Sequence, residues 1–130
     1  MRYEEFMAKV RDRGEYTGIE EADGVTRTVL ARLGQRLAGG EAKDLAAQLP
    51  VELQDVLLDI SAAGQADAVG IHQFLRLLAV ELTATEETAR WDASAVLSTV
   101  AEAVSGGQLN QILSQLPSEY ALLFGKPDLA

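Results

Sequence analysis

The feature of this sequence that most constrains its fold is an internal repeat. The segment 39–52 recurs at 106–119, which is 67 residues later, and both copies begin with Gly-Gly and contain Gln-Leu-Pro near the end. The same offset aligns the apolar pair 29–30 with the pair 96–97. Self-similarity of this kind is typical of duplicated supersecondary units that bury their apolar faces against each other. We therefore predict a chain made of two related units.

The spacing of apolar residues predicts that both units are helical. Each unit opens with apolar residues three and four positions apart, which places them on one face of a helix. These residues are Tyr3, Phe6, Met7 and Val10 in one unit and Ile71, Phe74, Leu75, Leu78 and Leu82 in the other. A longer helix follows in each unit, and Thr17 and Thr83 begin Thr-x-x-Glu sequences that predict its start. Short helices before Pro50 and Pro117 complete the pattern.

These patterns predict an all-α fold: a single globular helical domain built from two sequence-similar multi-helix repeats. Repeat one covers about 1–60, a link rich in Ala and Gly covers 61–70, and repeat two covers about 71–125. The last residues, 126–130, are expected to form a tail. Gly39 and Gly106 are expected to end the two long helices in the left-handed conformation.

Composition excludes several classes of site. The chain of 130 residues has no cysteine, which excludes disulfides, thiolate metal ligands and cysteine nucleophiles. Its net charge of −9 repels nucleic-acid phosphates and anionic lipids and favours basic partners. No apolar run approaches the roughly 20 residues that span a bilayer, and no apolar signal core follows the N-terminus. We therefore expect a cytoplasmic protein that binds neither nucleic acid nor membrane.

The repeated motifs also carry a resemblance. They are Tyr3-x-x-Phe6 followed by Gly39-Gly40-Glu41-x-x-Asp44-Leu45-x-x-Gln48-Leu49-Pro50, then Ser105-Gly106-Gly107 and Gln115-Leu116-Pro117-x-Glu119-Tyr120. With these motifs the chain resembles, over nearly its whole length, a bacterial family known as domain of unknown function 2267. The resemblance implies an all-helical bacterial domain. It implies no activity, substrate or site, so no functional residue can be transferred.

Residue patterns that could carry chemistry favour structural interpretations. His72 is the single histidine and has no carboxylate at metal-ligand spacing, so we expect a surface side chain. Adjacent glutamates point about 100° apart on a helix and cannot share a proton. Arg32 and Arg36, one turn apart, favour a solvated face over an anion site. We therefore predict no catalytic, metal-binding or cofactor-binding residues, no cofactor and no enzymatic activity.

Two polar residues recur beside the Leu-Pro corner of each repeat. Gln48 and Glu52 in the first repeat match Gln115 and Glu119 in the second. Such repetition is compatible with a duplicated functional site, and also with a duplicated structural bond in which a side chain satisfies backbone groups at the corner. We favour the structural bond because both copies lie at a helix junction.

Differences between the repeats indicate where a partner could bind. Leu77 and Val80 lie off the buried stripe of their helix and match the charged residues Lys9 and Asp12. Trp91 matches Gly24 and projects from the back of the second long helix, where it either fills space opposite Gly24 or contacts a partner. The apolar C-terminal end is a further difference. The predicted interaction surface comprises Leu77, Val80, Trp91, Leu122 and Phe124.

The sequence therefore favours a non-enzymatic, cytosolic protein-interaction or self-associating helical domain. The alternative is a small-molecule-binding or enzymatic pocket between the two repeats. Such a pocket requires several polar groups that converge in an apolar cleft, and the sequence identifies none. Internal packing between repeats could also explain the apolar residues of the second repeat.

Overall fold

The computed structural model describes residues 1–37, 40–63 and 70–126, with side chains described except at 59–63. Within these ranges every regular element is an α-helix. In chain order the helices are α1 (Tyr3–Gly14), α2 (Ile19–Gly34), α3 (Glu41–Gln48), α4 (Val51–Ala63), α5 (Ile71–Leu82), α6 (Glu86–Ala103), α7 (Gly106–Ser114) and α8 (Tyr120–Leu123). The prediction of an all-α single domain is confirmed. Most of the predicted link and tail lies outside the described residues.

The N-caps of the two long helices differ from the sequence prediction by one residue at α2 and by two residues at α6. Gly18 is the N-cap of α2, and Glu21 accepts a hydrogen bond from the backbone N–H of Thr17 at 3.1 Å. Thr83 does not cap α6, because it lies in the left-handed region at the end of α5. Thr85 is the N-cap of α6, and its hydroxyl accepts from the Thr88 N–H at 3.0 Å. Both capping predictions were therefore misplaced by one or two residues.

The ends of the helices also differ from the expectation for the Gly-Gly pairs. Gly106 is the first residue of α7 rather than a left-handed end of α6, and α6 ends at the extended Val104. Gly39 lies outside the described residues. Left-handed residues instead end α1 and α5, at Glu15 (φ 57°) and Thr83 (φ 52°). These two positions are 68 residues apart, the same offset that separates Phe6 and Phe74.

Packing brings the two halves of the chain into extensive contact. α1 packs against α6 as well as α2, and α5 packs against α2 as well as α6. The long helices α2 and α6 also touch each other, as do the short helices α3 and α7. Each half therefore buries its first helix partly against the second helix of the other half. Among the described residues, no helix is both long and apolar enough to cross a membrane.

The core is built from the apolar stripes that periodicity predicts. Phe6, Met7 and Val10 of α1 and Phe74, Leu75 and Leu78 of α5 are all fully buried. The Phe74 ring lies 5.2 Å from the Tyr120 ring, and the Arg36 guanidinium lies over its face at 6.0 Å. Arg36 is therefore a buried residue, contrary to the expectation of a solvated face. Its aliphatic stem and cation pack on an aromatic surface that tolerates charge.

Candidate interaction surface

The structure separates the five predicted surface residues into three groups. Val80, Leu122 and Trp91 are 78%, 56% and 50% exposed. Leu77 is partly buried. Phe124 is only 2% exposed and belongs to the hydrophobic core. The C-terminal segment turns back onto α6, which is shown by the approach of Gly125 to Ser98. Phe124 is therefore removed from the predicted surface.

The outer faces of α1 and α5 differ in the way that the sequence indicates. On α1, Lys9 forms an ion pair with Glu102 of α6 at 3.5 Å, and Asp12 is exposed to solvent. On α5 the matched residues are the apolar Leu77 and Val80. Because Val80 stays exposed, packing within the domain does not account for its apolar side chain. We call Leu77 and Val80 the apolar face of α5.

Trp91 is anchored at one edge and open on the rest of its surface. Its indole Nε1–H donates a hydrogen bond to the Gly14 carbonyl at 3.0 Å, where α1 ends. The space next to Gly24, by contrast, is open for at least 4 Å around an added Cβ. The expectation that Trp91 fills space opposite Gly24 is wrong. The back of α6 at this point faces the end of α1 instead of α2.

A buried polar cluster supports this anchor. The Tyr16 ring covers Gly14 so closely that a Cβ added there would lie 2.1 Å from Tyr16 Cε2. The Tyr16 hydroxyl in turn donates a hydrogen bond to Asp92 Oδ1 at 2.6 Å. Asp92 is 6% exposed, so burial raises its pKa, while the Tyr16 hydrogen bond lowers it and nearby Glu21 raises it further. Burial, together with the Asp92 bond, raises the pKa of Tyr16 well above its ordinary range and keeps the hydroxyl a donor.

The sequence contained one signal for this cluster. Asp92 replaces the apolar Val25 at the matched position of the first half. This substitution runs against the general trend, in which the second half is the more apolar. A lone carboxylate beside a buried stripe requires a donor from another element, and nothing in the local sequence identifies Tyr16, which is 76 residues away.

Removal of the Tyr16 hydroxyl is expected to destabilise the domain in a pH-dependent way. In Tyr16→Phe the buried Asp92 carboxylate loses its donor, at a cost of about 1–3 kcal/mol in the free energy of unfolding. The raised pKa of Asp92 means that the protonated form is favoured in the fold. Protonated Asp92 therefore contributes stability to the fold at low pH. This contribution is lost as the pH rises through the pKa that Asp92 has in the folded protein, because the buried carboxylate then becomes charged. The destabilisation by Tyr16→Phe should be larger at pH 7 than near pH 4.

Tyr3→Phe is the matched control for this experiment. Tyr3 also donates to an aspartate, Asp23, at 2.5 Å, but Asp23 is more exposed and receives a second bond from Arg27 at 2.8 Å. We expect Tyr3→Phe to change stability by less than about 1 kcal/mol at either pH. Urea unfolding at both pH values measures the difference. Equal effects of the two substitutions would contradict the role assigned to Tyr16.

Ion pairs join the halves, and two of them involve the matched residues Arg13 and Glu81, whose charges are opposite. Arg13 of α1 reaches α6, where it pairs with Glu102 and donates to the Thr99 hydroxyl at 2.9 Å. In the other half Glu81 of α5, which matches Arg13, pairs with Arg32 of α2. The Arg32 side chain is therefore engaged by a carboxylate. Because Glu81 already pairs with Arg32, this arginine does not provide the weak anion site that the spacing of Arg32 and Arg36 allowed.

The recurring glutamine has a structural contact in its first copy. Gln48 Oε1 accepts a hydrogen bond from the backbone N–H of Ser105 at 2.7 Å, just before α7 begins. The bonded group therefore lies in the other half of the chain and not at the corner beside Gln48. Nearby, Gln108 donates to Glu41 at 3.2 Å, and these two residues occupy matched positions. The corner after α3 is bonded differently, because Gln54 Nε2 donates to the Leu49 carbonyl at 3.3 Å.

A shallow cavity lies in the first half of the chain. It has a volume of about 350 Å³, opens widely to solvent, and is lined by Met1, Arg2, Tyr3, Glu4, Pro50, Val51 and Glu52. It therefore does not lie between the predicted repeats. His72 is exposed, with Nδ1 at 3.5 Å from Glu86 Oε2. In the part of the chain that the structure describes, no three metal-binding side chains come together.

Comparison with known proteins yields a match to the model of a protein family. No curated protein matches the chain. The model of a family described as an uncharacterized conserved protein, DUF2267, matches residues 3–123. That range begins with α1 and ends with α8, and it includes both Gly-Gly and Gln-Leu-Pro segments. The chain therefore belongs to the DUF2267 family.

Proposed function

We propose that this chain is a non-enzymatic domain that binds another protein chain through the apolar face of α5. The observation that carries the proposal is the exposure of Val80, whose side chain is 78% exposed near Leu77 on α5. The matched positions on α1 are the charged residues Lys9 and Asp12. When a partner covers apolar side chains that the fold leaves exposed, the removal of water from them contributes most of the favourable free energy of binding. The partner is a different protein or a second copy of this chain.

The two-repeat organisation, which we also propose, gives this asymmetry its meaning. It is supported by the matched left-handed residues Glu15 and Thr83, by the ion pairs that the matched residues Arg13 and Glu81 form with the other half, and by the contact between Glu41 and Gln108. Duplicated units begin with the same demands on their surfaces. A residue that becomes apolar in one copy and still stays exposed is then explained by something outside the chain.

A binding surface accounts for the structure better than a ligand pocket does. The cavity near Met1 is open and shallow, whereas small-molecule sites bury most of their ligand among converging polar groups. Tyr3, which lines it, already donates to Asp23. The cytoplasmic location and the bacterial origin remain inferences from the sequence.

Val80→Asp is expected to abolish association while the fold stays intact. A charge at the centre of an apolar contact must be desolvated without a partner, and such substitutions weaken interfaces at least about ten-fold. Val51→Asp is the matched control, because Val51 is 72% exposed but lies on α4 in the first half. Circular dichroism should show unchanged helix content for both variants, since neither side chain is buried.

Affinity capture from the native host and sedimentation equilibrium measure the outcome. We expect one associated chain, or the dimer, to be lost from Val80→Asp and retained by Val51→Asp. An identical set of associated proteins and identical masses for wild type and both variants would overturn the proposal. Leu77→Lys would be less informative alone, because Leu77 is partly buried and its replacement also disturbs packing.

A further inference from the structure

We propose that Trp91 and the carboxylates around it form a second docking surface, which receives an arginine or lysine side chain of a basic protein segment. This surface consists of Trp91, Glu15 and Glu87, and we call it the Trp91 surface. It lies where the end of α1 meets α6, and it shares no residue with the apolar face of α5. The inference rests on the proposed protein-binding role but uses different residues.

The indole is held in place without the aid of a partner. Its N–H is bonded to the Gly14 carbonyl, so the polar edge is satisfied, yet half of the side chain remains exposed. Gly14 in turn lies beneath Tyr16, whose hydroxyl is bonded to the buried Asp92. A ring fixed in this way loses little conformational freedom when a ligand covers it, which favours binding. Its open surface is available for a cation, the preferred ligand of a tryptophan ring.

The charges around the ring favour a cation. Glu87 lies one turn before Trp91 on α6, at the i,i+4 spacing that makes side chains neighbours. Glu15 directly follows Gly14, to which the indole is bonded, and is exposed. Among the described residues, neither Glu15 nor Glu87 takes part in an ion pair.

The cations of this region do not neutralise the surface. Arg13 is committed to Glu102 on the other side of the helix contact. Arg90 lies three residues after Glu87 on α6, but among the described residues no ion pair joins the two. The whole chain has a charge of −9, which attracts basic segments at long range. Nucleic acids and anionic membranes are negatively charged like this chain and are repelled, so the occupant is a basic stretch of protein.

Trp91 provides its own signal for the test, because it is the single tryptophan of the 130-residue chain. The full chain is titrated with a capped octapeptide of alternating arginine and glycine at 0.15 M salt, where charges beyond about 8 Å are largely screened. The control peptide carries citrulline in place of arginine, which keeps the shape and removes the charge. We expect saturable change in Trp91 emission with the arginine peptide and none with citrulline.

A pair of matched double variants separates local from long-range charge. Glu15→Gln with Glu87→Gln is expected to weaken binding about five-fold, as the loss of two partly exposed ion pairs implies. Glu52→Gln with Glu119→Gln removes the same charge from exposed positions elsewhere and should leave the affinity unchanged. Equal weakening by both pairs, equal binding of the citrulline peptide, or unchanged Trp91 emission would each overturn the Trp91 surface. None of these results depends on Val80, so the proposed function can survive them.

Discussion

Residues 1–60 and residues 71–125, produced as separate chains, are each expected to be unfolded or aggregated. A unit of about 60 residues buries only about 60% of the surface that its unfolded chain exposes, which leaves a marginal core. In this domain each half also buries apolar surface against the other half, because α1 packs on α6 and α5 packs on α2. Separation would expose both of these apolar interfaces to water.

Polar contacts between the halves would be lost at the same time. Asp92 would lose its donor Tyr16, and the backbone N–H of Ser105 would lose Gln48. Circular dichroism and thermal melting of each fragment, beside the full chain, measure the result. A mixture of the two fragments that regains helix would agree with this account. Two isolated fragments that each melt cooperatively would show that the halves are independent domains.

Phe74→Ala is expected to destabilise the intact chain by about 3–5 kcal/mol, a large fraction of the roughly 5–15 kcal/mol that keeps a domain folded. The Phe74 side chain is fully buried and contacts the Tyr120 ring and the Arg36 guanidinium. Its loss leaves a cavity and removes the aromatic face beneath a cation that is only 6% exposed. A buried charge without such compensation is costly. The midpoint of urea unfolding should fall sharply or the protein should fail to fold.

Val80→Ala serves as the control on the same helix. Val80 lies outside the core, so its truncation should change the free energy of unfolding by less than about 0.5 kcal/mol. Phe6→Ala removes the matched, equally buried phenylalanine of α1 and should be about as damaging as Phe74→Ala. A mild effect of Phe74→Ala, comparable with that of Val80→Ala, would mean that α5 does not hold the core together.

Periodicity was sufficient to predict the helices and most of the core, because burial of an apolar stripe is a property of sequence spacing. The stripe of Phe6, Met7 and Val10 is buried as predicted. Helix ends were harder, because several residues near each end can serve as caps. Thr83 begins the Thr-x-x-Glu sequence, but Thr85 is also a favourable N-cap residue, and only the left-handed turn at Thr83 decides between them.

The candidate surfaces were only partly predictable for a different reason. The helical projection placed Val80 off the buried stripe of α5 but left open whether packing between the halves covers it, and the structure shows that it stays exposed. The position of Trp91 depends on its contact with the end of α1, and that of Phe124 on the packing of the C-terminal segment against α6, and both are long-range properties. Trp91 proved to be bonded to Gly14, and Phe124 proved to be buried. The Tyr16–Asp92 bond joins residues 76 positions apart and could not be inferred from local spacing.

Site-directed photo-crosslinking from position 80 tests the central claim most directly, that a protein chain covers the apolar face of α5. A photoactivatable benzoylphenylalanine replaces Val80 in the intact chain inside the native host, and the same residue replaces Val51 in a control. Both positions are more than 70% exposed, so neither replacement needs space in the core. The account predicts a crosslinked protein, another chain or a second copy, that forms from position 80 and not from position 51. No crosslink from position 80, or the same products from both positions, would contradict it.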